Sequence, residues 1–353
     1  MSPRPLLLAA ALADRRPLPD REALVRDALV AETAGLELVT IEPGPFDPLL
    51  VAANLAARTT RIGIAPVVST TTTEPFHVST ALATIDVVAH GRAGWVARVE
   101  DPAAVEDTVT WDVPRDAAGD AAEHLTAVRA LWDSWEDGAE IRDVATARFI
   151  DRDRVHHVDF VGEHLSVRGP SITPRPPQGH PVVLARAGAA TAERLVAAGA
   201  DVVVTAEDDG PGGTASTRDP GGRADARRAD ADAAPIDAAT YAPLRFVDVL
   251  VDSDGLDGLA ARLLALHAGG ADGVVLHADD LAGALAAVLP ALEEAGVRPA
   301  AAERSADPAA PVVAADRIDP VAAQGDPGAA AAAPTLRERL GLAPAVNAFE
   351  VRA

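Results

Sequence analysis

The sequence of 353 residues predicts one large (β/α)₈ barrel. Short, continuously apolar segments alternate with helical segments along the chain, which indicates a parallel sheet covered on both faces. Eight such apolar segments are present, and eight βα units close a barrel, whereas about five to seven would indicate an open sheet. Hydrophobic residues make up 48% of the chain and aromatic residues only 3%, so the core is built from Ala, Val and Leu.

The first half of the chain supplies four strands and four helices. We expect strands at Pro5–Ala11, Leu36–Ile41, Arg61–Val68 and Ala93–Val99. The intervening segments have apolar residues at helical spacing, and they place helices at Asp20–Ala34, Pro48–Arg58, Pro75–Val88 and Ala118–Trp135.

The second half resumes the pattern after an irregular stretch. Strands are expected at Pro181–Ala185, Asp201–Thr205, Leu244–Val251 and Asp272–Leu276, and helices at Ala189–Ala198, Leu256–Ala268 and Asp280–Ala295. The barrel therefore occupies residues 1–298, with an insertion at 136–180, between the fourth helix and the fifth strand, and a mobile Gly-, Asp- and Arg-rich loop at 207–235. A low-complexity Ala/Pro/Asp linker at 299–334 precedes a C-terminal docking segment at 335–353.

The composition excludes several classes of partner. A net charge of −22 repels nucleic acid and anionic lipid surfaces, so neither is expected as a partner. The absence of Cys excludes disulfides, thiolate metal sites and a Cys nucleophile. The apolar N-terminal run is better explained as a first strand than as a signal peptide, and no stretch approaches the roughly 20 apolar residues that span a bilayer. These features favour a cytoplasmic protein.

Candidate functional residues follow the strands, because function in such barrels collects at the carboxyl ends of the strands. Glu42 follows the second strand, and the hydroxyl-rich loop Ser69–Thr73, with Ser69, Thr70 and Thr71, follows the third and leads to His77. The hydroxyls and the free N–H groups of this loop can hold a phosphate or ring carbonyls, although simple helix capping explains them equally well.

Two further candidates follow the fifth and eighth strands. Small residues at Ala187, Gly188, Ala189, Ala190 and Thr191 allow close backbone approach at a helix N-terminus that attracts anions. His277 ends the eighth strand, where it serves either as a proton donor or substrate contact or as a structural residue. The sequence contains no GxSxG, GxxxxGK[ST] or HExxH motif, and adjacent His156 and His157 point to opposite faces of a strand, so no metal site is expected.

Three segments together resemble the luciferase-like flavin monooxygenases that oxidise organosulfur compounds and aminocarboxylate chelators. The first is Asn54–Trp95, which contains RIGIAPVVSTTTTEPFHV and GRAGW. The second is Leu131–Gly188, from LWDSWEDGAEIRD to HPVVLARAG. The third is TLRERLGLAP at Thr335–Pro344. The resemblance keeps its order over most of the chain.

The resemblance implies a bacterial-luciferase-like TIM barrel that binds FMN at its carboxyl mouth. It implies a monooxygenase that oxidises a small organic substrate with O₂ and with reduced FMN, supplied by a separate NAD(P)H:flavin reductase. Relatives of this kind are commonly homodimers or homotetramers. The resemblance places Ser69, Thr70, Thr71, Trp95 and the residues from Ala187 to Thr191 near the flavin. Glu42, His77 and His277 are the candidate catalytic residues.

The chain departs from the family pattern at three cofactor positions. Val96 stands where the family has Asn, Ala190 replaces the serine of the phosphate loop, and Ala118 falls near the position of a Tyr. Two alternatives therefore remain open. One is a catalytically silent or weakly flavin-binding barrel that acts as a binding or partner protein. The other is an oxidoreductase that uses a deazaflavin without O₂.

Overall fold

The structure is a computed structural model that describes residues 4–13, 20–207, 242–251, 256–299 and 333–350. Its strands are, in chain order, β1 (Leu7–Leu12), β2 (Leu38–Ile41), β3 (Gly63–Ser69), β4 (Gly94–Arg98), β5 (Glu140–Asp143), β6 (Arg148–Ile150), β7 (Phe160–Val161), β8 (Ser166–Val167), β9 (Val182–Arg186), β10 (Val202–Ala206), β11 (Leu244–Val251) and β12 (Gly273–Ala278). Eight of these are parallel and form a closed barrel in the order β1-β12-β11-β10-β9-β4-β3-β2. The predicted (β/α)₈ barrel is confirmed.

Helices cover the outside of this barrel. They are α1 (Arg21–Thr33), α2 (Pro48–Ala56), α3 (Pro75–Val88), α4 (Pro102–Val105), α5 (Ala117–Asp133), α6 (Ala189–Ala197), α7 (Leu259–Ala268) and α8 (Leu281–Glu294). The main helices begin where the sequence indicates, because capping residues mark them: Asp20, Asp47, Asp116 and Asp280 each accept a backbone N–H bond from the first turn. The sequence did not indicate the short α4.

Successive side chains along each barrel strand point alternately into two apolar clusters. Side chains such as Val67, Val96 and Leu184 belong to the cluster that fills the barrel lumen. Their sequence neighbours, Val68 and Trp95 among them, belong to the cluster between the strands and the surrounding helices. This two-residue period is the geometry of a pleated strand, and it decides which polar side chains face the lumen at the ends of the strands.

The region between α5 and β9 contains two small antiparallel hairpins, β5–β6 and β7–β8. Trp135 lies beyond the end of α5, where it forms an isolated bridge with Val155, so the helix is two residues shorter than the sequence indicates. Most of the expected loop at 207–235, most of the expected linker at 299–334 and the end of the segment at 335–353 lie outside the described residues. No helix in the described part of the chain is long and apolar enough to cross a membrane.

The amino end of the barrel is closed by residues 333–350. The helical turn Leu336–Arg339 inserts Leu336 into the lumen cluster, together with Leu340. A Cβ atom on Gly63 would lie 2.6 Å from a methyl group of Leu336, so the absence of a side chain at Gly63 makes room for this contact. This segment lies at the opposite end of the barrel from the carboxyl ends of the strands, where the candidate residues are.

Candidate active site

Four charged or titratable side chains form a hydrogen-bonded layer across the carboxyl mouth. We call Glu42, Arg186, Asp248 and His277 the mouth layer. Glu42 follows β2, Arg186 ends β9, Asp248 lies within β11 and His277 within β12. These strands are spread around the ring, and β9 is separated from β2 by both β4 and β3. The side chain of Arg186 therefore crosses the lumen to reach its partners.

The distances within the mouth layer show that Arg186 is its centre. Its Nη1 lies 2.9 and 2.8 Å from the two carboxylate oxygens of Glu42. Its Nη2 donates to Oδ1 of Asp248 at 3.3 Å, and its Nε lies 3.2 Å from Oδ2 as an ion-pair contact without a hydrogen bond. His277 Nε2 lies 2.7 Å from the same Oδ1, and the hydroxyl of Thr40 donates to Glu42 at 2.8 Å. These charge-assisted contacts fix the orientation of every member of the layer.

All four side chains are only slightly exposed. The exposed fraction is 12% for His277, 16% for Glu42 and 19% for both Arg186 and Asp248. The layer lies above the apolar lumen cluster, so it forms a polar floor beneath the mouth. Glu42 and His277 were expected from the sequence, whereas Asp248 and the central position of Arg186 were not. The signal for Asp248 is an acidic residue inside the apolar run LRFVDVLV, where a charged side chain requires a partner.

A second feature of the mouth is a cleft of about 230 Å³ beside the ends of β3 and β4. Ser69, His77, Arg98 and Glu100 line it, so the structure brings Ser69 and His77 together at one cleft. Arg98 pairs with Glu100 at 3.1 Å. The strand registers place Ser69 opposite Arg98 and Arg98 opposite Arg186, so the cleft and the mouth layer meet at the same level of the barrel.

The loop after β3 is organised by Ser69. Its hydroxyl accepts the N–H groups of Thr71 and Thr72 at 3.2 and 3.1 Å. Thr70 instead turns its hydroxyl to the carbonyl of Arg98 at 3.3 Å. The hydroxyl of Thr71 is buried and has no hydrogen-bond partner in the structure. A buried unpaired hydroxyl is costly, and a ligand that supplies its partner would remove that cost.

The turn between β9 and α6 leaves a helix N-terminus open. Gly188 is the N-cap, and no side chain caps this helix. A Cβ atom on Gly188 would meet nothing within 4 Å, and Ala189 and Ala190 are exposed. Thr191 is half-buried, and its N–H bonds to the carbonyl of Gly188 at 3.0 Å. Because the first N–H groups of a helix have no partner within the helix, this turn presents free donors to an anion.

Trp95 lies on the other side of the sheet from the mouth layer. It is completely buried in the outer cluster, its Nε1 donates to the carbonyl of Val68 at 3.3 Å, and its ring lies 5.7 Å from that of His124. Burial lowers the pKa of His124 to about 3, so this ring is neutral. Val96, the next residue, faces the lumen. The structure therefore does not bring Trp95 together with the other candidate residues.

The carboxyl mouth offers donor groups that suit parts of a flavin mononucleotide. The turn at Gly188 fits a phosphate through backbone donors and the helix dipole alone, since Ala190 carries no hydroxyl. The unpartnered hydroxyl of Thr71 is available to a polar ring edge. Ala118, in the first turn of α5, offers no polar side chain. Within the described ranges no three His, Asp or Glu side chains converge to hold a metal. The residues present thus fit the group, with fewer side-chain donors than the resemblance implies.

The chain is a (β/α)₈ barrel whose candidate residues lie at the carboxyl mouth, the end at which function collects in such barrels. Residues 6–250 match the family described as luciferase-like monooxygenase, and the chain belongs to this family. One of the pristinamycin IIA synthase polypeptides of Streptomyces pristinaespiralis is 36% identical over 208 residues, which are 57% of this chain and 68% of that protein.

Two other proteins illustrate the range of the similarity. Nitrilotriacetate monooxygenase component A of Aminobacter aminovorans is 35% identical over 190 residues, which are 53% of this chain but only 42% of that protein. The chain thus spans less than half the length of this curated relative. A riboflavin lyase, solved with a modified FMN and its substrate riboflavin, matches 96% of both chains with a TM-score of 0.65 at 18% identity. That match shows a shared fold.

Proposed function

We propose that this protein is a flavin-dependent monooxygenase that oxidises a small organic substrate with O₂ and reduced FMN. The observation that carries the proposal is the uncapped helix N-terminus at Gly188, two residues after Arg186, which supports an anion site beside the polar mouth layer. Support comes from the family and from a similar fold that was solved with a modified FMN. One similar protein is named as component A of a monooxygenase, and by analogy we propose a separate NAD(P)H:flavin reductase as partner.

The bound flavin supplies the electrons that activate O₂, and the protein orients the reactants and excludes water. The backbone at Gly188, Ala189 and Ala190 would hold the phosphate. The hydroxyl of Thr71 would donate to the ring system, and Ser69 keeps the loop in place by accepting two N–H bonds. The apolar lumen cluster below the mouth layer keeps water from entering through the barrel.

His277 is the residue that moves a proton in this proposal. A neutral imidazole that bonds to a carboxylate must carry its proton on the bonded nitrogen, so Nε2–H faces Asp248. The other nitrogen, Nδ1, is then a proton acceptor. Asp248 orients the ring and stabilises the charge that a second proton creates, while Arg186 keeps Asp248 in place.

A titration of the purified protein with FMN, reduced FMN and a deazaflavin tests this proposal. Reduced flavins are added without oxygen and followed by absorbance and fluorescence, and substrate oxidation is then measured with an added reductase. We expect micromolar binding of reduced FMN. Preference for the deazaflavin would instead support the deazaflavin oxidoreductase, and binding of none would leave the catalytically silent barrel.

A further inference from the structure

We infer that the mouth layer selects a neutral or cationic substrate and rejects a carboxylate. This inference rests on the proposed function, because it assigns the substrate to the mouth. Its basis is that the only guanidinium crossing the described part of the mouth, Arg186, is already engaged by two carboxylates of the protein itself.

The donors of Arg186 are directed at protein oxygens. Proteins recognise a carboxylate through two parallel N–H bonds from one edge of a guanidinium. Here Nη1 donates to both oxygens of Glu42 and Nη2 donates to Oδ1 of Asp248 at 3.3 Å. Nε forms no hydrogen bond, but Oδ2 of Asp248 lies 3.2 Å from it and occupies the position that a ligand oxygen would take. A substrate carboxylate can therefore form a two-point bond only by displacing Glu42 or Asp248. That displacement would leave a carboxylate of low exposure without its partner.

The balance of charges around the mouth also disfavours a carboxylate substrate. Among the described residues, the mouth layer and the cleft contain the carboxylates of Glu42, Asp248, Glu100 and Asp47 and the guanidinium groups of Arg186 and Arg98. Arg98 is also paired, with Glu100. The surplus of negative charge repels a further anion in a site of limited exposure, where charges interact more strongly than in water.

The oxygens of the layer still have room for donors. An ionised carboxylate offers about four lone-pair positions. Glu42 accepts from Thr40 and Arg186, and Asp248 accepts from Arg186 and His277, so each keeps an unused position. An ammonium, amide or hydroxyl group of a substrate can donate to these positions. The mouth layer thus differs chemically from a site for nitrilotriacetate, which is a tricarboxylate.

The experiment compares three probes of equal length: butanoate, butanamide and butylammonium. Each is titrated into the full-length protein labelled with ¹⁵N-histidine, and the signal of His277 is assigned by its loss in His277→Gln. We expect saturable shifts of His277 with butylammonium or butanamide, and a dissociation constant for butanoate at least tenfold higher. Tighter binding of butanoate would overturn the inference, and so would the absence of a saturable shift with all three probes.

Two variants test the cause of the selectivity. Glu42→Gln and Asp248→Asn each free part of Arg186, so in both the ratio of the butanoate to the butylammonium dissociation constant should fall at least tenfold. Glu140→Gln is the matched control, because it removes one negative charge from an ion pair with Arg142 in the hairpin of β5 and β6. An unchanged ratio in both mouth variants would contradict the inference.

The same samples separate this inference from the proposed function. They are titrated with reduced FMN. Failure of FMN to bind, with the probe preference intact, counts against the proposed function alone. Binding of FMN together with a preference for butanoate counts against the substrate class alone.

Discussion

Arg337 forms a two-point ion pair with Asp201, in which Nη1 lies 2.9 Å from Oδ1 and Nη2 lies 2.8 Å from Oδ2. Both side chains are buried, and Asp201 also accepts the N–H group of Val183 at the start of β9. The pair attaches the C-terminal segment to the amino end of the barrel. Like the mouth layer at the carboxyl end, this pair joins residues that are far apart in the sequence.

Replacement of Arg337 by Ala is expected to lower the free energy of unfolding by about 3–5 kcal/mol, because the buried carboxylate of Asp201 loses the two-point charged contact with Arg337. Urea denaturation measures this change. Arg4→Ala is the control, since its exposed contact with Asp272 spans 3.9 Å and should contribute less than about 1 kcal/mol. The double variant Asp201→Ala/Arg337→Ala should lose less than the sum of the two single losses. Additive losses would show that the pair is not coupled.

Asp86 should make the protein less stable as pH rises. Its carboxylate accepts N–H bonds from Ala93 and Gln178, yet burial raises its pKa from 3.8 to about 6. Between these values the folded protein retains a proton that the unfolded chain has released, so the stability advantage present at low pH is lost by about pH 6. In Asp86→Asn this contribution is absent. The free energy of unfolding of the wild type, minus that of the variant, should fall by up to about 3 kcal/mol from pH 4 to 7. A constant difference in denaturation experiments would contradict the assignment.

His124 should make the protein more stable as pH rises. Burial lowers its pKa from 6.5 to about 3, so the unfolded chain binds a proton that the folded chain does not. Its contribution is present above about pH 6.5 and is lost as pH falls toward 3. His124→Leu should reduce the loss of stability in acid, as measured by denaturation from pH 7 to 4. His157→Gln, at an exposed ring, is the control. Equal acid sensitivity of wild type and His124→Leu would refute this prediction.

Ala190→Ser should strengthen the binding of FMN. The substitution supplies a hydroxyl at the open N-terminus of α6, and a hydrogen bond to a charged group contributes roughly 1.5–3 kcal/mol, which is tenfold or more in affinity. Ala197→Ser, in the exposed last turn of the same helix, is the matched control and should leave the dissociation constant unchanged. Fluorescence titration measures both variants. The same affinity in all three proteins would place the phosphate elsewhere.

The sequence predicted the barrel because each of its elements is marked locally. Apolar runs define the strands, and Asp residues accept the first N–H groups of α1, α2, α5 and α8. The same reasoning placed Glu42, Ser69 and His277 at the ends of strands. Their orientation follows from the two-residue period, which also separates Val96 in the lumen from Trp95 outside it.

The links between these residues could not be predicted, because they depend on which strands face one another across the ring. Arg186 and Glu42 are 144 positions apart in sequence, and no local pattern records their contact. Pairing of Arg337 with Asp201 is equally non-local. Asp248 alone left a trace, as a charged residue in an apolar strand. Unpaired buried charges are rare, so a charged residue in an apolar strand indicates an oppositely charged partner at the end of another strand.

The seating of Leu336 against Gly63 has a consequence for the order of events during synthesis. The two residues are separated by most of the chain, so β3 can emerge and pair with its neighbours long before its floor is complete. Closing a loop of that length is a slow, entropically costly step. Until it occurs, the apolar side chains of the lumen cluster at the amino end of the barrel remain exposed to water.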